Sequence, residues 1–359
     1  MKKKILTIIG ARPQFVKAAP FSKAVKENGK FTELLVHTGQ HYDFEMSQVF
    51  FDEMGIPAPA YNLECGGGTH AVMTAEIMKK LEPLMISEKP DAVLVYGDTN
   101  STIAGALVAS KLHIPIVHVE AGLRSFNRRM PEEINRIVAD RLSSVLFCPT
   151  GTAVKHLKAE GITKNVFHTG DIMYDAAIQS AEAASKRSAI LKDLGVKEKQ
   201  YALITVHRAE NTDSPQRLEN ILKALTDIKK DLDLVFPVHP RTVKCAEVAG
   251  LTGLLENLGP VKPVGFLDMV MLEKNASLII TDSGGIQKEA FFHGVPCLTL
   301  RTETEWTETV DAGWNVLADT ADIENIEKAM AYDYKKREIT EYGRGDAAVK
   351  MVKCLEELL

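Results

Sequence analysis

Residues 277–290, Ser-Leu-Ile-Ile-Thr-Asp-Ser-Gly-Gly-Ile-Gln-Lys-Glu-Ala, decide how this chain is read. The short apolar run over Leu278–Thr281 stops at Asp282, the pattern of a strand buried on both faces. Ser283, Gly284 and Gly285 follow, and a helix-forming segment begins at once. Glycines at such a turn let the backbone approach a ligand, while the new helix offers unpaired N–H groups and the positive end of its dipole. The stretch reads either as a plain turn or as a phosphate cradle. It lacks the Gly-Lys-Ser/Thr ending of a P-loop and the three-glycine spacing of a dinucleotide fingerprint. Its late position points to a nucleotide sugar or another diphosphate held by a second domain.

Working outward, short Val/Ile/Leu-rich runs alternate with longer helical patterns. Lys4–Ile9, Leu34–His37, Ala92–Tyr96, Ile116–Val119, Val145–Phe147 and Val166–His168 fill the first half. Ala202–Val206, Leu234–Val238, Leu278–Thr281 and Cys297–Leu300 fill the second. This alternation predicts an α/β protein of doubly wound parallel sheets covered by helices on both faces. Ala176–Leu194, rich in Ala, Ser and Lys, separates the two series, so the boundary is expected near Gly170–Tyr174. The expected division is 1–172, 173–340, and a C-terminal helix in 341–359 that crosses back to the first domain.

Polar residues follow seven of these strands. They are Gly10-Ala11-Arg12, His37-Thr38-Gly39-Gln40-His41, Gly97-Asp98-Thr99 and Glu120-Ala121-Gly122-Leu123-Arg124 in the first half. His207-Arg208-Ala209-Glu210-Asn211, His239-Pro240-Arg241 and Asp282-Ser283-Gly284-Gly285 do the same in the second. Open parallel sheets bind ligands beyond the carboxyl ends of their strands. Solubility alone accounts for any one of these loops but poorly for all of them. Two Rossmann-like sheets facing each other across a cleft is the economical account.

The bulk numbers narrow the function. The chain has 359 residues, 45% hydrophobic and 25% charged, with a net charge of −5. That balance is ordinary for a globular protein and argues against nonspecific attraction to nucleic acid or membrane. No apolar run reaches the length of a membrane span. The apolar start, Ile5–Ile9, is followed at once by Gly10, Arg12 and Lys17, and reads as a first strand rather than a signal peptide. Cys65, Cys148, Cys245, Cys297 and Cys354 are scattered without metal or redox spacing, as expected of reduced thiols in a cytoplasmic protein.

The motifs Gly10–Lys17, Thr38–Tyr42, Gly97–Thr99, His118–Ser125, Pro131–Arg136, Val206–Asn211, Pro237–Thr242 and Thr281–Ala290 cover nearly the whole chain in order. Together they resemble the non-hydrolysing UDP-N-acetylglucosamine 2-epimerases. The resemblance implies the GT-B architecture and an isomerase needing no cofactor and no metal. It also implies a cytoplasmic homodimer whose partner molecule is a UDP-sugar. The family reaction eliminates UDP across C1–C2, leaves bound 2-acetamidoglucal, and adds UDP back with the C2 proton on the other face. It interconverts UDP-GlcNAc and UDP-ManNAc for surface polysaccharide synthesis.

Carried over by motif, Asp98, Glu120 and Glu132 take the acid/base roles, and His207 stands beside the leaving group. Arg12, Lys17, Arg136, His239, Arg241, Phe266, Ser283, Gly284, Gly285, Glu289 and Arg301 are the implied substrate contacts. Other readings stay open. Asp98 also suits the N-cap of a helix over Ser101–Leu112, Glu120 an ion pair with Arg124, and Arg136 a helix salt bridge. His207 also suits a hydrogen-bonded strand end, and Glu289 an exposed helix acid. Glu133 reads as structural, near the positive end of a helix dipole. The sequence departs from the common family pattern in the motif Gly10-Ala11-Arg12-Pro13-Gln14-Phe15, at Gly170–Asp175 and at Arg301–Trp306. Those variants resemble a branch acting on UDP-2,3-diacetamido-2,3-dideoxyglucuronate, in which Arg301 or a lysine would meet an extra carboxylate. The segment Glu64–His70 lacks the arginine that regulated bacterial members use for a second substrate molecule. The remaining alternatives are a GT-B glycosyltransferase, a hydrolysing epimerase and a non-catalytic nucleotide-sugar sensor.

Overall fold

The computed structural model describes residues 2–40, 55–230 and 232–359. The chain divides into two units, residues 1–179 with 340–359, and residues 180–339. The division falls inside the helix Ile172–Arg187.

The first unit is built on a parallel sheet of β1 (Lys3–Ile9), β2 (Phe31–His37), β3 (Tyr61–Asn62), β4 (Ala92–Tyr96), β5 (Ile116–Val119), β6 (Val145–Cys148) and β7 (Val166–His168). Their order is β3-β2-β1-β4-β5-β6-β7, so the winding reverses between β1 and β4. Alternate strand residues point to opposite faces. Ile5, Ile9, Leu94, Tyr96, Val117 and Val119 pack with Phe15 and Phe21 of the helix Arg12–Asn28. Leu6, Ile8, Val93, Val95 and Ile116 pack on the other face with Ile77, Leu81 and Ala104 from the helices His70–Glu88 and Asn100–Lys111. A sheet covered on both faces needs apolar residues at every strand position, which is why its sequence runs are continuous rather than alternating.

The second unit has β8 (Tyr201–Thr205), β9 (Asp233–Val235), β10 (Leu278–Thr281), β11 (Cys297–Thr299) and β12 (Asn315–Leu317), ordered β12-β11-β10-β8-β9 and again all parallel. Its winding reverses between β8 and β10. Both units are thus Rossmann-like doubly wound sheets of the kind found in GT-B chains.

Two strands escape the sequence reading. β3 and β12 are edge strands of two and three residues, too short to show a pattern. The expected strand over Leu234–Val238 stops at Val235, and pairing continues only as an isolated bridge between Pro237 and Val261. Proline has no N–H to give a ladder.

The C-terminal helix Ala347–Leu358 packs on the first unit, where Ala347, Ala348, Met351, Val352 and Leu355 join the Phe15 and Phe21 cluster. The variant motif at Gly170–Asp175 holds it there. Gly170 has φ +89°, and a Cβ would sit 2.8 Å from the Tyr342 carbonyl oxygen, so only glycine fits. Asp175 accepts the first N–H groups of that helix, from Ala347 (3.1 Å) and Ala348 (2.9 Å). Among the described residues no helix is long and apolar enough to cross a membrane.

Candidate active site

In the first unit, β1, β4 and β5 are neighbours, so the loops that follow them leave the sheet side by side. The Tyr96–Val119 pair ends the β4–β5 ladder, and Gly97 N–H still donates to the Val119 carbonyl (2.9 Å). This puts Asp98 and Glu120 at adjacent strand ends.

Glu120 is 7% exposed and left-handed, with φ +67°. A non-glycine residue holds that conformation only where its surroundings enforce it. Its carboxylate forms an ion pair with Lys17 of the helix Arg12–Asn28, not with Arg124. Burial works to lower the Lys17 pKa, but Glu120, with further help from Asp98 and Asp171, raises it above the ordinary value. Gly97 faces this pair with φ +59°, and a Cβ there would lie 3.2 Å from Glu120 Oε2.

Asp98 pairs with Arg136 of the helix Pro131–Leu142, and its carbonyl accepts from Asn135 Nδ2 (2.8 Å). It does not cap the next helix. Thr99 does so, its hydroxyl accepting from Thr102 N–H (3.3 Å). Arg136 also bonds Glu133 (3.0 Å), so the helix salt bridge and the Asp98 contact coexist. Glu133 is buried and accepts the N–H groups of Ser125 and Phe126 (2.9 Å each) and the Ser125 hydroxyl (3.0 Å). Burial opposes its charge, yet the bonds from Ser125, Arg136 and Phe126 hold its pKa below the usual carboxylate value. Glu132 is half-buried, and its carboxylate has no hydrogen-bond or ion-pair partner among the described residues. Arg12 is exposed at the start of its helix.

Gln14 was not singled out as a site residue, yet it ties two of these loops together. Fully buried, it accepts from Gly10 N–H (2.8 Å) and Ala11 N–H (3.1 Å) and donates to the Tyr96 carbonyl (2.9 Å). Gln40 reaches the same region, accepting from Ser101 N–H (3.0 Å), whereas His41 and Tyr42 of its motif lie outside the described residues.

In the second unit, β8 and β10 are paired, and His207 and Asp282 follow them. Asp282 is fully buried. It accepts from His207 N–H (3.0 Å), Arg208 N–H (2.9 Å), Asn211 Nδ2 (3.1 Å) and His207 Nδ1 (2.8 Å). These bonds outweigh the opposing effect of burial and hold its pKa below the usual value. Because Nδ1 donates to the carboxylate, His207 presents Nε2 outward, without a partner among the described residues. The His239 ring lies edge-on to it, with centroids 5.8 Å apart. His239 Nδ1 caps the helix Pro240–Val248 by accepting from Arg241 N–H (3.1 Å). The Arg241 guanidinium is occupied by Asp213 (2.6 Å) and Thr212 (3.0 Å).

Ser283 caps the helix Gly284–Phe292, and the N–H groups of Gly284 and Gly285 donate to no described residue. A Cβ at Gly284 would meet nothing nearer than 3.7 Å, and at Gly285 nothing nearer than 3.9 Å. Neither packing nor a positive φ therefore demands glycine in this turn. What remains is room for an outside group to reach the N–H donors. The turn is braced from behind by residues that the sequence reading left unassigned. Trp306 Nε1 donates to the Gly284 carbonyl (2.8 Å), and Gln287 bonds the Ser283 carbonyl (3.2 Å) and Thr304 (2.6 Å). Lys288 Nζ lies 4.1 Å from the centre of a Trp306 ring. Arg301 is 4% exposed and held by Glu305 through both terminal nitrogens (3.0 and 3.1 Å). Glu289 is half-buried one helical turn beyond Gly285, and Phe266 starts the helix Phe266–Asn275, packed against Leu267 and Val270.

Asp282 was legible as an acid at the end of a buried strand. Gln287 and Trp306 carried no such signal, because their work is to support a turn brought to them by the fold.

The family model described as UDP-N-acetylglucosamine 2-epimerase matches residues 23–356. A Methanococcus maripaludis protein named as a homolog of that enzyme is 51% identical, covering 99% of this chain and 100% of the relative. The UDP-2,3-diacetamido-2,3-dideoxy-D-glucuronate 2-epimerase of Pseudomonas aeruginosa is 47% identical over the same shares. The solved UDP-GlcNAc 2-epimerase of Methanocaldococcus jannaschii superimposes with a TM-score of 0.89 at 41% identity, covering 99% of each chain. A second structure of that protein contains UDP-GlcNAc and UDP. By sequence over nearly its whole length and by fold, this chain belongs to the UDP-N-acetylglucosamine 2-epimerase family.

Proposed function

We propose that the protein is a non-hydrolysing UDP-N-acetylglucosamine 2-epimerase that interconverts UDP-GlcNAc and UDP-ManNAc. The observation that carries this reading is the pair Asp98 and Glu120, carboxylates at adjacent strand ends, each facing its own cation. The C2 proton of the sugar has no neighbouring carbonyl to acidify it. Its removal must be coupled to loss of UDP from C1, and two acid/base groups are needed to reach both faces of C2. A positioned base contributes about 10²–10⁴ in rate, and one well-placed donor to the leaving group about 3 kcal/mol. In this reading Asp98, Glu120 and Glu132 move protons. The N–H groups of Gly284 and Gly285, with Ser283, His207 and Arg12, hold the diphosphate as the C1–O bond breaks. Glu289 takes the ribose hydroxyls. UDP stays bound, so the glycal is recaptured rather than hydrolysed.

The test is incubation with UDP-GlcNAc in heavy water. Deuterium at C2 of recovered UDP-sugar, with a second C2 epimer appearing, is the expected result. Release of sugar plus UDP would mean a hydrolysing enzyme, and binding without exchange would mean a transferase or a sensor. A second reading, the same inversion on a UDP-diacetamido-uronate, is favoured by the 47% identical relative. The engagement of Arg301 by Glu305 weighs against Arg301 as the cation that meets the extra carboxylate, and leaves that role to a lysine. A panel of both substrates separates the two readings. A cytoplasmic homodimer serving surface polysaccharide synthesis completes the proposal, and sedimentation tests the dimer.

A further inference from the structure

Beneath the two carboxylates of the first unit, one histidine joins the loops that carry them. His118, in β5, is fully buried, and both of its ring nitrogens face oxygen. Nδ1 lies 2.7 Å from Asp140 Oδ1, and Nε2 lies 2.7 Å from the Gly97 carbonyl oxygen. The carbonyl can only accept. Asp140, 1% exposed, already accepts at Oδ2 from Arg124 Nη1 (2.7 Å) and Gly122 N–H (3.1 Å). A carboxylate in that position is ionised and accepts from His118 as well. A neutral imidazole has a single N–H and satisfies only one of the two oxygens, whereas an imidazolium satisfies both.

We propose that His118 is a constantly protonated positioning residue, whose two N–H bonds lock the Gly97 carbonyl, and with it Asp98, to the Asp140–Gly122–Arg124 frame that carries Glu120. The idea rests on the acid/base reading of Asp98 and Glu120 given above. Gly97 immediately precedes Asp98, and Gly122 lies two residues beyond Glu120. One charged ring therefore sets the spacing of the two strand ends. The charged and titratable groups around it come from several elements. Asp140 is on the helix Pro131–Leu142, and Glu120 and Arg124 follow β5. Glu160 lies beyond Arg124 (2.7 Å), Lys17 beyond Glu120, and Cys148, at the end of β6, senses both Asp140 and Arg124. Burial works to neutralise His118, and Asp140, the Gly97 carbonyl and Glu120 together overcome it and raise its pKa above the ordinary value.

Two substitutions separate the two bonds. His118→Asn keeps an N–H near Nδ1 and loses the Gly97 bond, whereas His118→Gln reaches the Nε2 position and loses the Asp140 bond. The readouts are kcat and KM for epimerisation of UDP-GlcNAc, with UDP affinity measured separately. His118→Asn is expected to lower kcat at least tenfold, since displacement by about 1 Å costs up to about 10² in rate, with KM and UDP affinity within about threefold. His118→Gln is expected to retain more kcat than His118→Asn. A His118→Asn protein with kcat within about twofold of the parent overturns the proposal, as do equal losses in both variants that track only the folded fraction. The charge is tested without any variant, by nitrogen-15 NMR of histidine-labelled parent protein. Both His118 nitrogens are expected to carry a proton at about pH 7, and a neutral ring there overturns the idea. Full C2 exchange in Asp98→Asn and Glu120→Gln proteins would instead sink the acid/base reading, leaving the charge of His118 as measured.

Discussion

The two units carry opposite chemistry at the same topological place. Where the first winds back, between β1 and β4, and along neighbouring β5, the loops present carboxylates, each already facing a cation. Where the second winds back, between β8 and β10, its carboxylate, Asp282, is turned inward and consumed by donors. What the second unit presents outward is donors, the N–H groups of Gly284 and Gly285 beside His207. In the proposed reading, the loops of the first unit move protons and those of the second hold an anion. The parallel-sheet frame supplies positions, and the side chains decide which charge each position serves.

The largest expected effect breaks the first side alone. Asp98→Asn and Glu120→Gln should each lower kcat by about 10²–10⁴ while UDP affinity stays within about threefold. Deuterium exchange at C2 and calorimetric titration with UDP check this, and an equal loss of UDP affinity would erase the distinction between the units. Asp282→Asn comes next. It removes the anionic partner of His207 and of two main-chain N–H groups, so kcat/KM should fall about 10²-fold and stability by about 1–3 kcal/mol. Denaturant unfolding beside the kinetics measures both.

Gly285→Ala sharpens the comparison with effects of opposite sign. The unliganded protein has room for the methyl, so its stability should be unchanged or higher by about 0.5 kcal/mol. UDP should bind about tenfold more weakly, because the methyl would lie where the proposed reading puts the diphosphate against the N–H donors. Weaker folding with unchanged UDP affinity would make the turn structural only.

The smallest effect is in pH dependence. Burial, against the bonds from Ala348 and Ala347, pushes the Asp175 pKa up to about 6. The folded state then holds this proton more tightly than the unfolded chain, whose value is about 3.9. Its stability contribution is present below that value and is lost as pH rises toward about 6. Asp282, held low, has the opposite sign. Its contribution is present above the unfolded value and is lost as pH falls through the folded one. Melting curves across this window should flatten in Asp175→Asn on the side where Asp282→Asn does not.

Much of the frame was legible because burial on both faces forces continuous apolar runs. Ala92–Tyr96, Ile116–Val119, Val166–His168 and Leu278–Thr281 are strands with the bounds that those runs set. The positions of Asp98, Glu120, His207 and Ser283 followed from strand ends. Their partners did not. Lys17 and Glu120 are 103 residues apart, and His207 and Asp282 are 75 apart. Local pattern also misled, since Asp98 has the right side chain for a cap but Thr99 has the right place.

The sequence alone determined where most of the buried strands lie, which loops are polar, and to which family the pattern is akin, because those depend on neighbours along the chain and on burial. Only the tertiary structure decided that Glu120 is held left-handed against Lys17, that Asp282 orients His207, and that His118 bridges two oxygens. Those contacts depend on strand order and register, which bring distant strand ends within a hydrogen bond of one another. The Ser283-Gly284-Gly285 turn needed both. Its glycines were visible in the sequence, but only the packing around them removed every internal reason for their being glycine.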